Sequence, residues 1–266
     1  MRKMKKALAS LAIAGMVLSM APASIFAADD DTRLAGSDRY QTSIKIAEKA
    51  YSSATTAVVA AGNPNNLVDA LAAAPLAAQE NAPIYLTDKA DMNNDVIKSM
   101  QALGVKNVIV VGAAANQAVV DELKAAGFTV DEVKGADRVA TAQAINAKLK
   151  APAGTFVVGY NGVADAMSVA SYAAANNFAI VVANRDGSVA SGVKADYIIG
   201  GTTLVKDIAG AKRLAGAYRY ETNKQVIAEL DFQFGKVYVG NGATLADALV
   251  GSVLAAQTKS PIVLTD

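Results

Sequence analysis

From residue 32 onward the chain repeats itself three times, so whatever it folds into must be built from three related units. The opening element reads RLAGSDRY from Arg33 to Tyr40, KGADRVAT from Lys134 to Thr141 and RLAGAYRYET from Arg213 to Thr222. Aligned on its glycine, Gly36 maps to Gly135 and then Gly216, at spacings of 99 and 81 residues. A second element reads VVAAG (Val58 to Gly62), FVVG (Phe156 to Gly159) and VYVG (Val237 to Gly240), each followed by an asparagine-containing turn. Asp69-Ala70-Leu71, Asp165-Ala166-Met167 and Asp247-Ala248-Leu249 come next. Each copy then reaches a short apolar run: APIYLTD (Ala82 to Asp88), FAIVVAN (Phe178 to Asn184) and SPIVLTD (Ser260 to Asp266). Two copies continue, to NVIVVGAAA (Asn107 to Ala115) and YIIGGTT (Tyr197 to Thr203).

Within a unit, long amphipathic stretches alternate with short β-branched runs. Tyr40, Ile44, Ala47 and Tyr51 recur at helical spacing between Asp38 and Tyr51, whereas Val58, Val59, Ile84, Leu86 and Val108 to Val111 lie in runs of strand length. Strands that are apolar at every position are covered on both faces, which specifies an α/β fold of parallel sheets with right-handed crossover helices. Ala-rich stretches such as Leu67 to Gln79 and Val163 to Ala175 suit helices that approach a sheet closely. Copy two is shortened: Asn184 to Gly200 spans 16 positions where Asp88 to Gly112 spans 24, predicting loss of most of one helix and of an edge strand. Copy three stops at Asp266, directly after its second apolar run, and so reads as a truncated unit of a longer chain. Its open strand edge is an association hazard, which a dimer formed through the incomplete third repeat would cover.

The N-terminus has the layout of an export signal. Arg2, Lys3, Lys5 and Lys6 precede an apolar stretch from Ala7 to Met20, and small residues around Ala27 suit cleavage there. That stretch is shorter than the roughly 20 residues a spanning helix needs. Removing residues 1–27 takes four basic groups and no acidic one, leaving 21 Lys+Arg against 24 Asp+Glu, a net of about −3. The chain has no Cys, no His and no Trp, which excludes disulfides, thiolate nucleophiles and every His-based triad or metal centre. We therefore expect no catalysis, no cofactor and no metal. Gly240-Asn241-Gly242 begins like a dinucleotide fingerprint, but Leu245 stands where the third glycine is needed. Ser191-Gly192-Val193-Lys194 matches S-x-x-K without its companion motifs. Asp29-Asp30-Asp31 lacks the further oxygen ligands a calcium loop requires.

The ordered combination R-x-x-G-x-D/Y-R-Y-x-T, strand, G-N, x-D-A-L, P-I-x-L-T-D and V-x-x-V/I-G-G resembles the type 2 cell-wall-binding repeat of Gram-positive bacteria, over residues 32–266. The resemblance implies Rossmann-like units packed as a pseudo-trimer: 32–133, a shortened 134–212 and an incomplete 213–266. It also implies a secreted, wall-bound protein held noncovalently on an anionic, teichoic-acid-like secondary polymer, with no nucleic acid and no membrane as partner once the signal is removed. Family members carry these units beside an effector such as an amidase, so a second reading is the targeting region of a wall-lytic enzyme whose catalytic domain is absent from this chain. Thr87 and Thr265, in the P-I-x-L-T runs, join the expected polymer-facing set. The middle copy departs from the pattern there, reading Ala179-Ile180-Val181-Val182-Ala183, and is expected to be structural only.

The recurrent arginines Arg33, Arg39, Arg138, Arg213 and Arg219 are the candidate anion ligands, because a planar guanidinium near a helix N-terminus suits phosphodiester or carboxylate oxygens. They fit also an internal role, pairing with Asp69, Asp165 or Asp247 or with a neighbouring unit. Those aspartates fall early in helices, where a carboxylate complements the macrodipole and caps free N–H groups. Asn63, Asn161 and Asn241 follow the first strand of each copy, at the sheet end where open α/β folds place ligands. A mildly acidic protein cannot hold a polyanion by bulk charge, so local basic pockets must do it.

Overall fold

The computed structural model describes residues 33–63, 66–70, 72–88 and 91–266. The expected signal at 1–27, the Asp29 to Asp31 run and the Asp69 side chain lie outside the described residues.

Unit one contains helix α1 (Arg39–Ala50), strand β1 (Thr56–Ala61), a 3-10 turn (Leu67–Ala70), α2 (Ala73–Gln79), β2 (Ile84–Thr87), α3 (Asn94–Ala102), β3 (Asn107–Val111), α4 (Gln117–Ala125) and β4 (Thr129–Val133). Its sheet is all parallel, in the order β2-β1-β3-β4. Val58, Val59 and Ala60 are wholly buried at consecutive positions, as strands covered on both faces require. The helix expected over Leu67 to Gln79 is divided here. Pro75 has no N–H for the carbonyl four residues back and its ring clashes there, so the helix proper starts only at Ala73.

Unit two contains α5 (Arg138–Asn146), β5 (Gly154–Val158), α6 (Val163–Asn176), β6 (Phe178–Val182), β7 (Tyr197–Ile199) and β8 (Lys212–Leu214), with the equivalent sheet order β6-β5-β7-β8. The edge strand expected to be missing is present as three residues; what the shortening removes is both helices equivalent to α3 and α4. The sheet face they would cover is closed by loops. Alternation along the strands sends Phe156, Val158 and Ile199 into the main core, while Val157 and Ile198 join Ala183 and Val205 in a separate small cluster. Val189, Val193, Ile208 and Ala211 pack against that cluster from the connecting loops.

Unit three contains α7 (Arg219–Glu229), β9 (Tyr238–Asn241), α8 (Ala246–Gln257) and β10 (Ile262–Thr265), and its sheet is the single pair β10-β9. Among the described residues no strand pairs with the other edge of β9, and Val239 there is 64% exposed.

The three units close around their second helices, α2, α6 and α8, which pack on one another at the centre. Small residues permit this: Ala73, Ala74, Ala77, Ala166, Ala170, Ala173, Ala248 and Ala255 are buried. Each first helix also packs on the central helix of another unit, α1 on α8, α5 on α2 and α7 on α6. Side chains at the helix ends fasten the ring. Gln257 Nε2 donates to Ala50 O at 2.9 Å, Gln79 Nε2 to Lys148 O at 3.1 Å, and Tyr172 meets Phe232 edge-on at 5.4 Å.

Candidate functional site

The repeated opening motif explains itself locally. Gly36, Gly135 and Gly216 each donate their N–H to a threonine hydroxyl six residues on, Thr42, Thr141 and Thr222, at 3.0 Å in every unit. A Cβ at any of these glycines would overlap the first turn of the following helix. Asp38 and Asp137 cap α1 and α5, accepting from Gln41 N and Ala140 N at 2.8 Å. In unit three the capping position is Tyr218, which supplies no capping oxygen; the Glu221 carboxylate accepts from its N–H at 3.0 Å.

This geometry sets an arginine at the first position of each of these helices. Arg39 donates to Gly62 O, Arg138 to Tyr160 O at 2.9 Å and to Asn161 Oδ1 at 2.7 Å, and Arg219 to Gly242 O at 2.6 Å. The acceptors are the turns after the first strand of the same unit. Strand register makes them equivalent, since Val58 faces Ile84, Phe156 faces Ile180 and Tyr238 faces Ile262. Gly62, Tyr160 and Gly242 therefore correspond, whereas matching the G-N letters pairs Gly62 with Gly159 and Gly240. Asn63 and Asn161 are equivalent positions, but Asn241 is the last residue of its strand. Its Oδ1 accepts from Ala243 N and Thr244 N at 2.8 Å, which shapes the turn.

Asp165 and Asp247 do not serve as side-chain caps. α6 and α8 begin after Gly162 and Leu245, without side-chain caps, and among the described residues no hydrogen bond reaches Asp165 or Asp247. Both carboxylates sit in the first turn, where the helix dipole favours them, and each feels an arginine of another unit. Burial raises Asp165 from 3.8 to about 6, against the opposing pull of Arg219. Burial also raises Asp247, opposed by Arg39. Unit three thus faces unit two through Arg219 and Asp165, and unit one faces unit three through Arg39 and Asp247. Gly200, at φ +107, is needed beside Asp165 on two counts, since a Cβ there would also run into the carboxylate.

The Arg219 and Asp165 pair lies in a cleft of about 830 Å³ between units two and three, formed at the C-terminal ends of β5, β7 and β9. Asn161, Thr203, Tyr218 and Tyr220 line it with them, and Tyr218 is 73% exposed on its rim. A second groove, of about 650 Å³, follows the open β9 edge past Lys49, Lys236, Tyr238 and Val239. Its position along an unpaired strand makes it a place for another polypeptide segment, so the first cleft is the better ligand site.

Three expected ligand residues are turned to structural work. Arg213 donates to Gly200 O at 2.7 Å, Val205 O at 2.9 Å and Asp207 Oδ1 at 2.8 Å, clamping the loops over the second sheet. Thr87 is fully buried and donates to Asp91 O at 2.6 Å. Asn63 carries the turn into Leu67, its carbonyl accepting from Asn66 N and Leu67 N. Thr265 and Arg33 are exposed. Reading by residue type passed over Tyr218, Tyr220 and Tyr160. The signal for Tyr218 was its place where the other copies hold a capping Asp. Among the described residues no group of three or more acidic side chains could hold a metal ion, and no helix is long and apolar enough to cross a membrane.

Comparison with known proteins follows this division into three. The family model for Cell wall binding domain 2 (CWB2) matches residues 33–120, 132–209 and 213–266. N-acetylmuramoyl-L-alanine amidase LytC of Bacillus subtilis (strain 168) is 30% identical over 249 residues, 88% of this chain and 50% of that protein. The Amidase enhancer of the same organism is 25% identical over 261 residues, 92% of this chain and 37% of that protein. Among solved structures, Cwp8 from Clostridium difficile superposes with a TM-score of 0.79 at 30% identity, covering 87% of this chain and 44% of Cwp8. Cwp6 from the same organism gives 0.77 at 25% identity, covering 87% of this chain and 41% of Cwp6. The chain thus spans half or less of the relatives it matches.

Proposed function

The chain belongs to the cell wall binding domain 2 family, and from that premise we propose that it is an exported, non-catalytic anchor holding an anionic secondary wall polymer of the teichoic-acid type in the clefts between its units. The observation that carries this reading is the cleft of Arg219, Asp165, Tyr218 and Tyr220. It offers a fixed guanidinium for an oxyanion and an exposed aromatic face for a sugar ring. Asp165 holds the Arg219 head by charge without contacting it, so an incoming anion need not break an ion pair. The test is the double variant Arg39→Ala/Arg219→Ala. Its retention on purified walls should weaken and become less salt-dependent while the far-UV spectrum stays native. Unchanged retention at every salt concentration would remove these arginines from the site.

A second reading takes its support from LytC. The similarity covers half of an amidase, so the same fold would serve as the targeting region of a lytic enzyme whose catalytic part is not in these residues. Under both readings a zymogram of this chain is blank, and a lytic band would overturn the non-enzyme assignment.

A further inference from the structure

Unit two differs from its neighbours at one place where all three should agree. In units one and three, the tyrosine at the second helical position reaches across the turn to the aspartate that ends the second strand: Tyr40 to Asp88 at 3.5 Å, and Tyr220 to Asp266. The rings fit because the turn residue beneath each is glycine. A Cβ on Gly62 would come within 2.9 Å of Tyr40, and one on Gly242 within 2.5 Å of Tyr220. In unit two all three residues have changed together. The helix position is Val139, the turn glycine is Tyr160 and the strand-end aspartate is Asn184.

The aromatic ring has thus moved from helix to turn, and the carboxylate is gone. In its place the next residue, Arg185, stacks on Tyr160, its Cζ at 4.3 Å from the ring centroid. Arg138 lies over the same ring, also at 4.3 Å. Tyr160 is only 8% exposed, so it is a fixed platform, while Arg185 is exposed. Among the described residues Arg185 makes no hydrogen bond and no ion pair. The carboxylate beside it is committed elsewhere: Asp186 accepts from Ser188 Oγ at 2.6 Å, Ser188 N at 3.0 Å and Lys206 Nζ at 3.0 Å. Those bonds, the Ser188 hydroxyl foremost, hold it well below the usual carboxylate range. Two guanidiniums therefore share one ring, and among the described residues no carboxylate pairs with the outer one. Stacking on an aromatic face fixes such a head without consuming its N–H donors, which stay directed to solvent.

We propose that Arg185, with Arg138 and the Tyr160 platform, forms an oxyanion-binding site at the tip of unit two, taking the phosphodiester or carboxylate groups of a polyanionic chain. The site adjoins the cleft between units two and three, since Arg138 also donates to Asn161, which lines that cleft, but Arg185 and Tyr160 lie outside its lining. Its assignment to a wall polymer rests on the anchoring reading above. It also reverses the expectation that the middle copy is structural only: that copy has exchanged an acidic tip for a basic one.

The experiment compares wild type with Arg185→Ala, Arg185→Lys and Asn184→Asp, the last restoring the carboxylate of the other units beside Arg185. Binding to soluble poly(glycerol phosphate) and, separately, to polygalacturonate is followed across salt concentration, alongside retention on purified walls before and after the secondary polymer is stripped. Among the described residues Arg185 makes no hydrogen bond or ion pair, and its stacking on Tyr160 is an exposed contact of small worth, so its variants should melt close to wild type. For Arg185→Ala we expect affinity for the matching polyanion to fall about fivefold or more, and the log–log salt slope to fall by about one, as loss of a single phosphate contact requires. Asn184→Asp should weaken binding in the same direction, and Arg185→Lys should keep the salt slope while losing affinity. The polyanion that responds identifies the oxyanion. If wild type needs the polymer for retention but Arg185→Ala and Asn184→Asp bind like wild type, this site is wrong and the anchoring reading stands. Equal retention of wild type on stripped walls would instead remove the anchoring reading itself.

Discussion

Asp165 is kept at a cost to the fold, and replacing it measures that cost. The carboxylate is 7% exposed, with no hydrogen bond among the described residues, and its pKa is raised from 3.8 to about 6. Between those values the native protein holds a proton that the unfolded chain has released, so stability falls as pH rises through the window. Below the lower value both states are protonated and nothing is lost; above the upper value both are ionised and the full penalty remains. The difference corresponds to on the order of 3 kcal/mol, reduced to about 2–3 kcal/mol by solvent at the cleft mouth. Asp165→Asn abolishes the ionisation at nearly constant shape. It should therefore stabilise the protein at pH 7 by about that amount and have little effect near pH 4, the gain growing between the two. Urea denaturation at stepped pH, read as the difference from wild type at unchanged m-value, gives the comparison directly. A variant less stable than wild type at pH 7, or a difference that does not change with pH, would refute the picture of a buried carboxylate held only by the field of Arg219.

Three further perturbations follow. Gly135→Ala forces a Cβ into the first turn of α5 and should cost about 2–3 kcal/mol in urea unfolding; a neutral outcome would mean the repeated glycine serves something other than close packing. Tyr218→Asp restores the cap used by Asp38 and Asp137, so it should stabilise by about 1 kcal/mol while weakening wall retention. Unchanged retention would show that the exposed ring contacts no ligand. The open β9 edge should cause concentration-dependent association by sedimentation, which Val239→Lys suppresses; a monomer at all concentrations in both proteins would discount a dimer through this edge.

Much of the architecture was legible because it is written three times. Val58 and Val59 on adjacent positions announced strands covered on both faces, and the recurrence of Gly36, Gly135 and Gly216 aligned the three opening elements, though the close packing and the hydrogen bond to threonine behind that recurrence belong to the folded structure. The shortening in unit two was harder to read, since counting residues shows that something is missing and not which element. A three-residue edge strand survives because its backbone must still pair with β7, whereas loops carrying Val189, Val193 and Ile208 can cover a sheet face in place of two helices. Turn alignment failed for a related reason. Letters matched Gly62 to Gly159 and Gly240, but strand register decides equivalence and places Tyr160 and Gly242 there. Arginine–aspartate pairing was expected from residue type, but which arginine faces which aspartate shows only once the units close into a ring, where the charge of Arg219 acts on Asp165 and that of Arg39 on Asp247 across unit boundaries. Arg213 and Thr87 have the same composition signal as the residues proposed to bind, and only packing shows that the fold uses them.

The central claim, that this ring of units holds an anionic wall polymer without chemistry, is tested most directly by binding the chain to purified walls before and after the secondary polymer is chemically removed. The account predicts retention that is salt-sensitive on intact walls and lost on stripped ones, with no release of wall fragments. Equal retention on both preparations would contradict it.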